Sequence, residues 1–212
     1  MNGWQFSTPA VVAREATARL FGPVVSILVR GPAVVGREHL DAIDGPILIC
    51  PNHTSHLDFS TLRLALGPRH RRRLAAAAAQ DYFFEARRLR SFFAAWVGAF
   101  AFRRRGGPSP DSIDEIERLL GSGWSVLVFP EGTRTRTGEL GPFRAGIGLV
   151  AVRTGRQVLP VRIVGLDRVL PPGRRIPKRE RVEVRFGAPI VAQPGETARV
   201  FAARLEATVR AL

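Results

Sequence analysis

The sequence is short of cysteine, of acid and of lysine. Cys50 is the single cysteine among 212 residues, so no internal disulfide can form and nothing in the chain points to an oxidising compartment. It ends the apolar run "ILIC", where a thiol is expected to be core. Long hydrophobic runs are missing too. The longest uncharged apolar stretches, Leu20–Val29 and Ser91–Phe102, fall short of the roughly 20 residues that a spanning helix needs, and no segment reads as a cleavable signal peptide. Asp and Glu number 18 against 32 Lys and Arg, a net charge of +14, and Lys178 is the sole lysine. GC-rich codon usage would explain arginine in place of lysine, but not the excess of cations. That excess draws the molecule to polyanions, whether nucleic acid, an anionic membrane face or phosphorylated substrates.

The remaining composition suits one α/β domain with a real core. "GPILIC" (45–50) reads as a buried strand, and "FSTLRLAL" (59–66) has helical spacing at Leu62 and Leu66. "RLAAAAAQ" fits strand or helix. "SPDSIDEIERLLGSG" predicts a helix capped by Ser109, opened by Pro110 and stopped by Gly121, with Ile113, Ile116 and Leu120 on one face. "SVLVF" (125–129) and "VLPVRIVG" (158–165) predict buried strands, with a helix in "AGIGLVAVRTG" between them. "RVEVRFG" alternates as a half-exposed strand does. A last helix from about Thr197 carries Phe201, Leu205, Val209 and Leu212 on one face. Strands alternating with helices predict a single α/β domain with a central, mostly parallel sheet flanked by helices.

Two segments suit a membrane surface. In the first, Thr8 caps a helix with Pro9 at its first position, and Val11, Val12, Leu20 and Phe21 lie beside Arg14 and Arg19. The second is "FFEARRLRSFFAAWVGAFAFRRR". Phe92, Trp96 and Phe100 recur every four residues, with Arg87, Arg88 and Arg90 before them and Arg103, Arg104 and Arg105 after. Rings flanked by guanidinium groups fit the boundary between acyl chains and lipid phosphate, and they also fit a core. "LPPGRRIPKRER" (170–181) is a basic loop.

Two stretches carry chemistry. "PNHTSHLDFS" (51–60) follows a buried strand and sets His53, His56 and Asp58 close together. On a regular helix His53 and Asp58 would lie about 140° apart. They pair if His53 sits in the turn before the helix, with Thr54 or Ser55 as cap. Asp58 would then fix the tautomer of His53 and steady the imidazolium, making His53 a general base. A three-ligand metal site is a loose match to known ligand spacings, and a purely structural polar turn is the plain alternative. "FPEGTRTRTGELGPFRAG" (129–146) also follows a buried strand, at the end of the sheet where α/β folds hold ligands. Gly132 permits a tight turn, and Thr133 adds a hydroxyl. Arg134 and Arg136 offer forks that fit phosphate. Glu131 cannot bind phosphate, and is expected to anchor an arginine or backbone amides.

"NHTSHLD" together with "FPEGTR" resembles the glycerolipid acyltransferase family, whose best-known members are 1-acylglycerol-3-phosphate acyltransferases. His53 and Asp58 match its His-x4-Asp block. "GAFAFRR" (98–104) resembles the second block, with Arg104 as the best match to its arginine. "FPEGTR" matches the third block, and "VLPVRI", marked by Pro160, resembles the fourth. The resemblance covers roughly residues 40–190. It implies an N-terminal helical segment (residues 1–38) that associates with membrane, and an acyltransferase domain (39–212). It implies that His53, oriented by Asp58, deprotonates an acceptor hydroxyl, which attacks the thioester of acyl-CoA or acyl-carrier protein. Arg104 and Arg134 would hold the acceptor phosphate, Glu131, Gly132, Thr133 and Pro160 would complete the substrate site, and no cofactor or metal would be needed. The acceptor expected is lysophosphatidic acid and the product phosphatidic acid, at the cytoplasmic face of the cell membrane. Glycerol 3-phosphate or another lysolipid is the alternative acceptor. A basic module for nucleic acid or an anionic surface is the alternative of another class. It leaves the His53–Asp58 pair without a role and has no groove-reading helix, so the expected partners are lipid, acyl donor and anionic membrane, and not nucleic acid.

Overall fold

The computed structural model describes residues 3–79, 98–102, 110–135, 138–170 and 176–212. Among them seven strands form one sheet. These are β1 (Ala33–Val35), β2 (Leu48–Pro51), β3 (Leu74–Ala79), β4 (Ala99–Phe102), β5 (Ser125–Leu127), β6 (Val158–Val164) and β7 (Glu183–Phe186), in the order β1-β7-β6-β2-β5-β3-β4. The five strands from β6 to β4 run parallel; β7 is antiparallel to β6, and β1 is parallel to β7. β2 is wholly buried, as expected of a central parallel strand that reads as an unbroken apolar run. β7 alternates half-buried and buried residues, as its sequence predicts. The alanine run is a strand: β3 lies between β5 and β4, and sheet pairing on both edges overrides alanine's helical preference.

Among the described residues, helices cover both faces. α1 (Thr8–Leu28), α2 (Arg37–Asp41) and α3 (Asp58–Arg71) lie over one core, with Val29, Leu40, Leu62 and Leu66 in it. α4 (Pro110–Gly121), α5 (Ala145–Thr154) and α7 (Ala198–Ala211) lie over the other, through Ile116, Val150 and Phe201. The short α6 (Leu166–Val169) follows β6. Ile113, Ile116 and Leu120 are all buried, so the predicted apolar face of α4 is the packed one. Thr197 caps α7, accepting from the amide of Val200.

Three expectations change. α1 begins one residue earlier than expected: Ser7 is its N-cap and Thr8 its first residue. It then runs unbroken through Pro23 as one helix. Phe100 is not on a helical face with Phe92 and Trp96: it lies in β4, 1% exposed, where sheet pairing fixes it in the core. Phe92 and Trp96 fall outside the described residues, as does Arg136. Residues 33–35, expected in the N-terminal segment, form the edge strand β1.

α1 is fastened to α3 by a buried carboxylate. Glu15 pairs with Arg63 at 3.0 Å and with Arg71 at 3.0 Å. The outer side of α1 is apolar and open, with Leu20, Phe21, Val24 and Ile27 all more than half exposed. Its carboxyl end is held by Arg179, which donates to the carbonyl of Ile27, and by the amide of Glu180, which donates to that of Leu28. Residues 179–180 lead into β7, whose Glu183 pairs with Val164 at the carboxyl end of β6. The open stripe therefore ends at the carboxyl edge of the parallel strands. No helix among the described residues is long and apolar enough to cross a membrane.

Topology creates a crevice at that same edge. From β2 the chain passes through α3 toward β3; from β5 it passes through α5 to β6, on the other side of β2. Adjacent strands whose connections leave in opposite directions, over opposite faces, part at their carboxyl ends, and α/β sheets bind ligands there.

Candidate active site

The loops after β2 and β5 meet in this crevice. His53 Nδ1 lies 2.7 Å from Asp58 Oδ2. Asp58 is the first residue of α3 and is wholly buried. Its Oδ2 also accepts the amides of Thr54 at 2.8 Å and Ser55 at 2.9 Å. The pairing is the expected one, but the capping runs the other way. Leu57, not Thr54 or Ser55, is the N-cap of α3, and the Ser55 hydroxyl accepts only the Leu57 amide, at 3.3 Å; the amides of Thr54 and Ser55 donate to Asp58, because a carboxylate is the stronger acceptor. An oxygen that takes two amide N–H groups takes the Nδ1–H as a third, which leaves Nε2 its lone pair for a proton. The ring stacks on Phe129, centroids 3.9 Å apart and planes at 19°.

The second loop grips His53 from both sides of its backbone. The His53 amide donates to Glu131 Oε1 at 2.7 Å, and the amide of Thr135 donates to the His53 carbonyl at 2.9 Å. Glu131 Oε2 accepts from the amide of Gly141 at 2.9 Å. Glu131 thus anchors backbone amides, one of the two roles expected of it. Burial raises its pKa, and the two amide hydrogen bonds work against that rise. Gly132 turns the chain at φ +73°. A Cβ there would lie 2.7 Å from Arg144 Nε, so the absent side chain is needed twice, for the turn and for the arginine.

Thr133 and Arg134 follow, both exposed. The charge of Arg134 reaches His56: burial first, then the charges of Arg134 and His53, lower the His56 pKa, and Asp58 opposes them. Pro160 does not join this cluster. It is buried within β6 opposite Cys50, its carbonyl accepting the Gly187 amide, and it contributes packing. Arg104 lies outside the described residues. No group of three His, Cys, Asp or Glu side chains among the described residues could hold a metal ion. Cys50 is fully buried, and burial pushes its thiol far up, away from the thiolate.

Two residues gain roles beyond those the sequence suggested. Asn52, buried, donates from its amide nitrogen to the carbonyl of Ile163 at 2.9 Å and accepts from the Ile163 amide at 2.7 Å. Its side chain continues the sheet for one step after β2 ends, and so sets where His53 begins. Arg144 is the N-cap of α5, and its Nε donates to the Glu131 carbonyl at 3.1 Å. An asparagine directly after a buried strand and an arginine directly before a helix were the available signals.

A histidine oriented by a buried carboxylate, beside an arginine-bearing turn, could transfer a proton next to an anion. The comparisons give the family. The profile of the Acyltransferase family matches residues 31–164. The 1-acyl-sn-glycerol-3-phosphate acyltransferase BAT2 of Brassica napus, a chloroplastic protein, is 31% identical over 147 residues, covering 66% of this chain and 39% of its own. The enzyme of that name from Bacillus subtilis is 26% identical over 173 residues, covering 79% of this chain and 77% of its own. The crystal structure of the LPA acyltransferase PlsC from Thermotoga maritima superimposes with a TM-score of 0.67 at 22% identity, over 93% of this chain and 81% of that one, and shows the same fold. The chain spans about two fifths of the length of the plant relatives it matches. With the family profile covering most of the chain, both loops of the crevice included, the protein belongs to the acyltransferase family.

Proposed function

We propose that the protein transfers an acyl chain from a thioester, acyl-CoA or acyl-carrier protein, to the free hydroxyl of lysophosphatidic acid, giving phosphatidic acid. The observation that carries this reading is the 2.7 Å His53–Asp58 pair, locked by Glu131 and Thr135 to the loop that bears Arg134. His53 Nε2 takes the hydroxyl proton as the oxygen attacks the thioester carbonyl. The tetrahedral intermediate collapses, the C–S bond breaks, and the imidazolium returns the proton to the departing thiolate. Arg134 holds the acceptor phosphate, so that binding positions the hydroxyl before reaction. The scheme needs no acyl-enzyme, cofactor or metal. The relatives named above act on this acceptor by name.

The reading places the protein on the cytoplasmic face of the cell membrane. The open stripe of α1 ends at the carboxyl edge of the sheet, and the basic residues Lys178 and Arg179 lie beside its end. Apolar side chains enter the acyl boundary while cations meet lipid phosphate, with the crevice facing the bilayer.

The test offers purified protein acyl-CoA and lysophosphatidic acid in mixed micelles with chelator present, and reads free thiol. Release should require the acceptor, and His53→Ala should nearly abolish it while circular dichroism stays that of the folded protein. Unchanged release in that variant overturns the assignment of the base.

A further inference from the structure

Arg144 is a cation held in place with no ion pair among the described residues. Its amide donates to the carbonyl of Pro130 at 2.9 Å, and its Nε to that of Glu131 at 3.1 Å. Its side chain lies flat against Gly132, where a Cβ would meet Nε at 2.7 Å, Cδ at 3.0 Å and Cζ at 3.3 Å. Stem and Nε are therefore fixed. The two terminal nitrogens make no hydrogen bond or ion pair with the described residues, and the residue is exposed. Both Glu131 carboxylate oxygens accept amides, from His53 and Gly141, and Arg144 is bonded to the Glu131 carbonyl rather than to its carboxylate. Three exposed arginines, Arg118, Arg153 and Arg210, instead rest on a carboxylate within 3 Å.

A planar guanidinium with its stem immobilised and its fork free is preorganised to bind two oxygens of a phosphate, since the ordering cost precedes binding. The residue whose carbonyl holds Arg144 is the one whose carboxylate holds the amide of His53. Arg134 is two residues beyond Gly132. We propose that Arg144 is a further phosphate-binding residue of the acyl-transfer site, supplying a second fixed guanidinium at the Glu131–Gly132 turn. The inference rests on the acyl-transfer reading for its substrate. Two phosphate esters fit the chemistry, the headgroup of the lysolipid and the phosphates of a CoA donor.

Equilibrium dialysis separates them without turnover. The full chain is dialysed against dodecyl phosphate below its micelle concentration, against dodecyl maltoside as the uncharged control, and against CoA. Arg144→Gln should weaken one phosphate ligand by about tenfold, as expected for loss of charge-assisted hydrogen bonds, and leave the maltoside unchanged. Loss with dodecyl phosphate assigns Arg144 to the acceptor, and loss with CoA assigns it to the donor. Arg144→Lys keeps the charge without the fork and should weaken the same ligand by about threefold; it decides the matter if the glutamine variant does not fold. Where acyl transfer is measured, KM for the assigned substrate should rise with kcat nearly kept, whereas a purely structural role would lower kcat. Wild-type binding of both phosphate ligands by the folded variants overturns the proposal. Because dialysis involves no reaction, that outcome is distinct from a failure of acyl transfer itself.

Discussion

Two buried carboxylate systems hold this molecule together, and they are built differently. At the candidate active site, Asp58 and Glu131 are met mainly by backbone amides, of Thr54 and Ser55 for one and of His53 and Gly141 for the other. At the seam between α1 and α3, Glu15 is met by two guanidinium groups. Amides have no side-chain freedom, so a carboxylate bound to them fixes the course of the main chain and, with it, the seat of the imidazole. Guanidinium groups ride on long stems; they neutralise the charge and join two helices without dictating where each backbone runs. The first arrangement suits a reaction that tolerates little misplacement, and the second suits attachment of a peripheral helix.

Substitutions can break this comparison. The largest effect is expected from Asp58→Asn. The asparagine carbonyl still accepts amides, but its NH2 group can face Nδ1 and favour the wrong tautomer, so kcat should fall by about a thousandfold or more, with the melting temperature almost unmoved. A loss under tenfold would show that the carboxylate does not orient the base. Next is Glu15→Gln. It leaves the guanidinium groups of Arg63 and Arg71 buried without their anion, at a cost of about 3–5 kcal/mol. Thermal unfolding should then occur roughly 10 °C lower, while kcat of the folded protein is kept. A fall in kcat with stability unchanged would reverse the roles assigned to the two regions. The smallest effect sharpens the catalytic side. Removing a nearby cation raises the pKa of an imidazole, so in Arg134→Gln the His56 ring should titrate at higher pH, followed by NMR. An unmoved titration would place Arg134 away from the histidine loop.

The legible part of the site was its residue identities. Five steps between His53 and Asp58 do not pair easily on a helix, so the sequence allowed the pair only with His53 in the turn before α3, where it lies. The direction of capping was not legible, because hydroxyls at 54 and 55 and a carboxylate at 58 compete for the same end of the helix, and only the folded turn shows which acceptor the amides reach. Glu131 could be read as an anchor, but its partner His53 is 78 residues away and no local pattern reports that distance. In the fold, alternation marked β7 and apolar periodicity marked α4 and α7, since each has one buried face. The alanine run had no such contrast, and Phe100 kept a spacing of four from Trp96 although it lies in a strand. Arg144 carried only the weak signal of an arginine directly before a helix, because what distinguishes it is the spatial fixing of its stem against Gly132 and the Glu131 carbonyl.

The aromatic ring under His53 has a part that the resting geometry conceals. While the imidazole is neutral, Phe129 is simply a flat apolar neighbour 3.9 Å away. In the proposed reaction Nε2 gains a proton, and the ring becomes a cation lying on the negative face of a quadrupole. The attraction grows as the alcohol gives up its hydrogen and fades when the thiolate takes it back. It therefore acts on the summit of the barrier more than on the valleys either side, which is where an enzyme gains rate.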